Sequence, residues 1–182
     1  MQRKHFLTTV LGGIPLLAFS KFDEEPKSTQ KPFKVEAGES RNGEQIKFLG
    51  VHPNDNKISG RDTNQQLSVF EYTGLGKIGP NLHLHLYQDE VFYVVEGEYR
   101  FVVGDETLKL NAGDTIFLPR KIAHTWIQLT DRGKLIYFLQ PAGKMEEFFQ
   151  KMNSLSQRPT DEEIKRINLE HGIVNMGPPL TL

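Results

Sequence analysis

Short runs of β-branched and aromatic residues recur along the chain between about residues 45 and 140, separated by polar and glycine-rich segments. Runs of this length and composition are typical of β-strands. The predicted strands are residues 45–49, 67–72, 83–86, 90–95, 98–103, 106–110, 114–119, 123–129 and 134–140. Eight or nine strands at a spacing of roughly 8–12 residues predict an all-β sandwich or barrel.

Two connections in this region have readable sequences. The segment HPNDNKISGRDTN (52–64) is rich in turn formers, so it is predicted to be a loop, with His52 as a turn residue. The strand-like runs VFYVV and EYRFVV flank Glu96–Gly97, which has the outline of a β-hairpin with its turn at Gly97.

The hydrophobic period changes after residue 143. Met145, Phe148, Phe149 and Met152 recur at helical spacing, which predicts a first helix. A second helix is predicted over TDEEIKRINLEHG (160–172), because Thr160 and Glu163 form a capping box and Gly172 is a stop signal. Residues 144–182 are therefore predicted to be a helical extension packed against the outside or one end of a barrel formed by residues 35–143. His171, in the last turn, is given no catalytic role.

The N-terminus has a different pattern. A basic start, MQRKH, is followed by fourteen apolar or small residues (6–19) and by small residues at Ala18 and Ser20, which is the layout of a signal peptide over residues 1–20. The alternative is an apolar N-terminal strand of a cytoplasmic protein. The RKHFL segment is similar to a twin-arginine signal with lysine in place of the second arginine, so the export route stays open. We expect an exported, periplasmic or extracellular protein with a flexible leader at 21–34 and no stable membrane anchor.

Composition excludes several kinds of chemistry. The 182 residues include no cysteine, so disulfides, thiolate metal sites and cysteine nucleophiles are excluded. The net charge is −1 with both signs interspersed, which gives no basic surface for nucleic acid. The expected partner is a small-molecule substrate.

Histidine is scarce, with six in the chain, yet His83 and His85 stand two apart. Side chains two apart on a strand share one face, so both imidazoles project together. Glu90 lies five residues further on, and His124 opens a later predicted strand that a proline corner could return to the same place. Either these are incidental polar groups on strands, or they are three nitrogen donors and one carboxylate. The second reading suits one divalent transition metal (iron, manganese, nickel, cobalt, copper or zinc) with open positions for water or substrate.

Both motifs of the cupin superfamily are found at these residues. The first is His83-x-His85, four residues, Glu90, six residues and Gly97; the second is Gly113, five residues and Pro119, with His124 five residues after the proline. The glycine usual ahead of the histidines is displaced, with Gly76 and Gly79 on either side of its place. Lys121 stands where glycine is usual, which puts lysine in strain if that corner is left-handed. Gln128 stands where asparagine is usual.

This resemblance implies a cupin jelly-roll barrel with His83, His85, Glu90 and His124 as metal ligands. The tail residues are similar to those of single-domain cupins of the quercetin 2,3-dioxygenase type. That narrower resemblance implies a dioxygenase acting on a flavonol-like or other enolisable aromatic, with Glu90 as both ligand and general base, and a homodimer. Isomerase or decarboxylase chemistry at the same metal, or a binding module without turnover, are the alternatives.

Strand alternation identifies the candidate pocket. Trp126 and Gln128 share a face with His124, and Phe92 shares a face with Glu90. With Phe101 they would form a mostly apolar, aromatic pocket for a planar or cyclic substrate. For Phe92 and Phe101 an ordinary barrel core is an equally good interpretation.

Overall fold

The computed structural model describes residues 31–157 and 159–182. The predicted signal peptide and residues 21–30 of the predicted leader lie outside the described residues. Residues 31–34 have no regular secondary structure. Within the described ranges, no helix combines the length and the hydropathy that a membrane crossing requires.

The described residues form eleven strands in two antiparallel sheets, as the spacing of apolar runs predicts. The six-stranded sheet contains, in spatial order, β1 (Lys47–Phe48), β2 (His52–Ile58), β3 (Ser68–Gly74), β10 (Gly133–Gln140), β5 (Asp89–Glu96) and β8 (Thr115–Leu118). The five-stranded sheet contains β11 (Ile173–Pro179), β4 (Asn81–His85), β9 (His124–Gln128), β6 (Glu98–Val103) and β7 (Glu106–Asn111). Their inner faces enclose one core, so the all-β prediction is confirmed.

The predicted hairpin between VFYVV and EYRFVV is wrong. β5 pairs with β10 and β8, whereas β6 pairs with β7 and β9, so the chain crosses from one sheet to the other at Gly97. Gly97 is the only residue between the two strands, and one residue is too short for a hairpin loop. Its φ of 88° and the 2.6 Å that would separate an added Cβ from Thr130 Oγ1 both require glycine.

The prediction of a loop over residues 52–64 is wrong for its first half. Residues 52–58 form β2, and only the 3₁₀ helix Gly60–Thr63, capped by Ser59, is turn-like. His52 is a buried strand residue whose Nδ1 accepts a hydrogen bond from the Leu75 N–H at 2.9 Å. Asn54 is buried in the same strand. The polar composition misleads because this strand turns polar side chains toward the interior, where other side chains satisfy them in part.

The tail contains both predicted helices, α1 (Met145–Asn153) and α2 (Asp161–Glu170). The Thr160–Glu163 capping box is present, with Glu163 N–H donating to Thr160 Oγ1 at 3.3 Å. Phe149 of α1 packs into the core, its ring 5.3 Å from that of Phe70. The predicted helical extension is followed by a strand that was not predicted, because β11 returns to the barrel and pairs with β4.

Candidate metal centre

The four candidate ligands come from three strands on two facing sheets. β4 carries His83 and His85, and β9 begins at His124, which lies directly opposite His83 in the five-stranded sheet. Glu90, near the start of β5, reaches them from the six-stranded sheet. The structure brings one ligand atom from each of the four residues within 4.8 Å of the others.

The donor atoms converge on a small volume inside the barrel. Glu90 Oε2 lies 3.3 Å from His124 Nε2 and 3.5 Å from His85 Nε2. The imidazole centroids are 4.6 Å apart for His83 and His124, and 5.4 Å apart for His85 and His124. Three nitrogens and one carboxylate oxygen at these separations suit a first-row divalent ion with open coordination positions.

Backbone carbonyls orient two of the imidazoles. His83 Nδ1 lies 2.7 Å from the Asn81 carbonyl oxygen, and His124 Nδ1 lies 3.0 Å from the Ile122 carbonyl oxygen. Because a carbonyl oxygen only accepts, each Nδ1 must carry the proton, which leaves the Nε2 lone pair free. This is the arrangement that fixes the tautomer of metal-binding histidines in proteins.

Buried nitrogen atoms without partners show that the cluster fits a cation. His85 Nε2 and His124 Nε2 have no hydrogen-bond partner among the described residues, and both side chains are about 1 % exposed. A buried polar atom without a partner costs about 1–3 kcal/mol. A metal ion held by these atoms would remove that cost, so the residues present fit such an ion.

The electrostatics favour the protonation states that metal binding requires. Burial, followed by the neighbouring His124 and His85 imidazoles, lowers the pKa of His83 well below its ordinary value. Burial alone would raise the pKa of Glu90, but the His124 and His85 side chains outweigh it and hold that pKa below its ordinary value. Neutral imidazoles and an ionised carboxylate are the ligand forms.

The corner before β9 is braced beside the cluster. Arg120 Nη2 donates to Asp89 Oδ2 at 2.7 Å, and the Lys121 N–H donates to the His85 carbonyl oxygen at 2.8 Å. Lys121 has φ of 67°, so lysine occupies the left-handed conformation that glycine favours at this corner.

Three of the four predicted pocket residues lie together next to the cluster. The Trp126 ring is 6.4 Å from Phe101 in its own sheet and 6.3 Å from Phe92, which faces it from the six-stranded sheet. All three side chains are buried and form an aromatic cluster between the two sheets. Gln128 lies four residues beyond His124 on β9, about 13 Å along the strand. Its amide binds the Thr130 carbonyl oxygen at 2.9 Å and the Tyr99 hydroxyl at 3.4 Å, so the structure does not bring Gln128 to the ligands.

Sequence reasoning missed three inward-facing polar residues of the six-stranded sheet. Tyr72 and Tyr137 face the interior from β3 and β10, and Tyr137 Oη donates to Asn54 Oδ1 of β2 at 2.8 Å. The alternation in LSVFEY and KLIYFLQ is a signal for the two tyrosines. Asn54 had no such signal, because its segment has the composition of a loop.

The fold and the site together define a class: a small double-sheet barrel with a three-histidine, one-glutamate cluster between its sheets. Residues 73–139 match the family model for the cupin domain. The resemblance to cupins that both sequence motifs predict is thereby confirmed over these residues.

Two solved structures are partly similar to this chain. KdgF from Halomonas sp. superposes with a TM-score of 0.51 at 17 % identity, covering 62 % of this chain and 94 % of that one. An RmlC-like cupin from Shewanella frigidimarina gives a TM-score of 0.48 at 25 % identity, covering 60 % of this chain and 94 % of its own. No curated protein sequence matches the chain.

Proposed function

We propose that this protein is a metal-dependent cupin enzyme, and that it acts as a dioxygenase on a flavonol-like or other enolisable aromatic molecule. The convergence of Glu90 Oε2 with the free Nε2 atoms of His85 and His124 carries the proposal. The aromatic cluster of Phe92, Phe101 and Trp126 supports an aromatic substrate, because flat rings pack well against aromatic side chains.

His83, His85, His124 and Glu90 would hold the metal ion. A bound divalent metal supplies Lewis acidity, which lowers the pKa of a coordinated hydroxyl. Glu90 Oε2 would accept the proton of the substrate hydroxyl, since a carboxylate with a low pKa is ionised and ready at neutral pH. Trp126 and Phe92 would orient the ring and exclude water from it.

The same carboxylate supports a second candidate function, isomerase or decarboxylase chemistry without dioxygen. Glu90 is the carboxylate among the four, and an ionised carboxylate can take a proton from a substrate carbon as well as from an oxygen. A non-catalytic binding module would use the histidines and the aromatic cluster but would not need Glu90 as a base.

Dioxygen consumption separates these functions. Protein reconstituted in turn with iron, manganese, nickel, cobalt, copper and zinc would be given a panel of flavonols in an oxygen-electrode cell. The dioxygenase proposal expects uptake with at least one metal, and Glu90→Gln, which keeps an oxygen donor, should reduce it about 10²–10⁴-fold. No uptake with any metal rules out the dioxygenase. Substrate conversion without uptake favours the second candidate.

Metal content tests the site separately from the reaction. His83→Ala and His124→Ala should each abolish stoichiometric metal in protein purified without added metal salts, as measured by plasma mass spectrometry. His171→Ala is the matched control and should retain the metal, because His171 is not one of the four converging residues and its Nδ1 contacts the Ile167 carbonyl oxygen. Wild-type protein that neither carries nor binds a divalent metal would contradict the site.

Export and dimer formation belong to the same proposal. The basic, apolar and small residues of the segment 1–20 support export, and N-terminal sequencing of periplasmic protein would detect the cleavage. An intact Met1 on cytoplasmic protein would refute it. Light scattering of the exported form would show whether it is a homodimer.

A further inference from the structure

We propose that the barrel contains a second polar subsite, formed by Tyr72 and Asn54, which binds a neutral oxygen atom at the end of the substrate remote from the metal. The inference rests on the proposed function, since it adds a distal contact for the aromatic molecule described above. It concerns residues that neither cupin motif includes.

The two side chains are partners across adjacent strands. Asn54 of β2 lies directly opposite Tyr72 of β3, so both project from the same face of the six-stranded sheet. Tyr72 is 2 % exposed and Asn54 is 1 % exposed. The Tyr72 hydroxyl and Asn54 Nδ2 nevertheless have no hydrogen-bond partner among the described residues. Each is a donor withdrawn from water without compensation, which is rare in a folded interior.

The neighbouring Tyr137, on the same sheet, has a hydroxyl that is hydrogen-bonded. Tyr137 Oη donates to Asn54 Oδ1 at 2.8 Å. In this contact the Asn54 amide oxygen faces Tyr137 and its NH₂ group faces away. Asn54 Nδ2 is therefore a donor that faces away from Tyr137 and has no partner among the described residues.

The register of the sheet places these donors at a useful distance from the candidate ligands. Leu139 of β10 lies opposite Glu90, and Leu135 of the same strand lies opposite Tyr72. Four residues along a strand span about 13 Å. The Trp126 ring extends between the two levels, 6.3 Å from Phe92 and 5.2 Å from Tyr72. A planar molecule that binds the metal through one end and lies along Trp126 would direct its other end toward Tyr72.

The subsite has a definite chemical preference. Both free groups are neutral donors, so they match an acceptor such as a phenolic, ether or carbonyl oxygen. Burial raises the pKa of Tyr72 well above its ordinary value, which keeps its hydroxyl protonated and able to donate. On the inward face of β2 and β3, the other buried polar side chains are His52, Asn56 and Ser68. His52 is neutral there, because burial lowers its pKa and its Nδ1 accepts from the Leu75 N–H, so a carboxylate or phosphate would find no compensating cation on this face.

The first test compares Tyr72→Phe with Tyr137→Phe in metal-loaded protein without ligand. Both variants remove one buried hydroxyl from the same sheet. Tyr137→Phe should lower the melting temperature because it breaks the bond to Asn54, whereas Tyr72→Phe should leave it unchanged or raise it. If Tyr72→Phe lowers it as much as Tyr137→Phe does, an ordered water already satisfies the hydroxyl and the subsite is refuted.

The second test uses Trp126, the single tryptophan of the chain, as a fluorescence reporter. The probes are 3-hydroxyflavone and 3,4′-dihydroxyflavone, which share the metal-binding end and differ by one distal hydroxyl. Tyr72→Phe should weaken the binding of the dihydroxy probe about fivefold to tenfold and leave that of 3-hydroxyflavone unchanged.

The outcomes separate the two proposals. If Tyr72→Phe changes the binding of both probes equally, or changes neither, the subsite is refuted. The proposed function still stands in that case if both probes quench the fluorescence of wild-type protein only when metal is bound. If neither probe binds wild-type protein, the flavonol proposal fails. The melting-temperature comparison then decides alone whether the Tyr72 hydroxyl is an unpaired donor.

Discussion

His83 lies directly opposite Asn175 of the C-terminal strand, and five register pairs join β4 to β11 in this way. On its other side, β4 is joined to β9 by one register pair, His83 with His124. The strand that carries two of the four candidate ligands is therefore supported mainly by a segment at the end of the chain. Asn168 of α2 donates to Asn175 Oδ1 at 2.9 Å and ties that segment to the preceding helix.

Breaking this pairing should weaken metal binding without changing any ligand. The Leu86 N–H donates to the Gly172 carbonyl oxygen at 2.8 Å, so the alternation of an antiparallel ladder makes Val174 and Leu84 the next hydrogen-bonded pair. Val174→Pro removes that donor and should raise the dissociation constant for a divalent metal about tenfold. Titration calorimetry measures the change.

Val174→Ala is the matched control for that variant. It shortens the side chain and keeps the N–H, so its metal affinity should stay close to that of wild type. Wild-type affinity in the proline variant would show that β4 holds its histidines without help from β11.

The candidate ligands could be read from the sequence because their arrangement is local. His83 and His85 share a face by strand alternation, and the spacings to Glu90 and from Pro119 to His124 are short enough for two motifs to specify. Strand pairing is not local. Gly97 shows this, because the two runs that flank it have the composition of a hairpin, yet each finds its partners in a different sheet.

Strands with polar or glycine- and proline-containing sequences were also not predictable from the sequence. Asn54 lies in a segment whose composition favours a loop, and only the contact with Tyr137, more than eighty residues away in sequence, gives its side chain a place in the interior. The strand β11 includes Gly177 and Pro179, which are poor strand formers, and its pairing with β4 along a sheet edge makes them tolerable. Both elements depend on tertiary contacts that no local pattern records.

Gly79→Ala should be strongly destabilising. A Cβ at Gly79 would collide with the backbone carbonyl oxygen of Trp126, and a backbone atom in a central strand has little freedom to move. We expect a loss of about 3 kcal/mol in the free energy of unfolding, measured by urea denaturation. Gly76→Ala is the matched control, since its Cβ would meet only His52 Cε1 at 3.9 Å, and it should be neutral or slightly stabilising. Equal losses in both variants would contradict this account.

Lys121→Gly should stabilise the fold by about 1 kcal/mol. Lys121 has φ of 67°, and a left-handed conformation costs a residue with a Cβ roughly 1–2 kcal/mol. Glycine removes this cost, but it also raises the conformational entropy of the unfolded chain, which offsets part of the gain. The bond from the residue 121 N–H to the His85 carbonyl oxygen is kept. Lys121→Ala separates strain from charge, because alanine keeps the strain and should give no gain. Thermal denaturation compares the three proteins, and a gain in the alanine variant would assign the effect to the lysine charge instead.

His52→Gln should reduce the loss of stability between pH 7 and pH 5. Burial lowers the pKa of His52, and its Nδ1 can accept from the Leu75 N–H only while the ring nitrogen is unprotonated. The unfolded chain therefore binds a proton at this histidine more readily than the folded one. The contribution of neutral His52 to the free energy of unfolding is complete above the ordinary histidine pKa of about 6.5 and is lost as the pH falls below it. Glutamine does not titrate in this range and can accept the same bond through its amide oxygen.

Urea denaturation of both proteins at pH 5, 6 and 7 measures how steeply the stability of each falls with pH. His83, whose pKa is also lowered, contributes a loss of the same sign in both proteins, so the difference between the slopes belongs to His52. Parallel slopes would show that His52 does not titrate in this window.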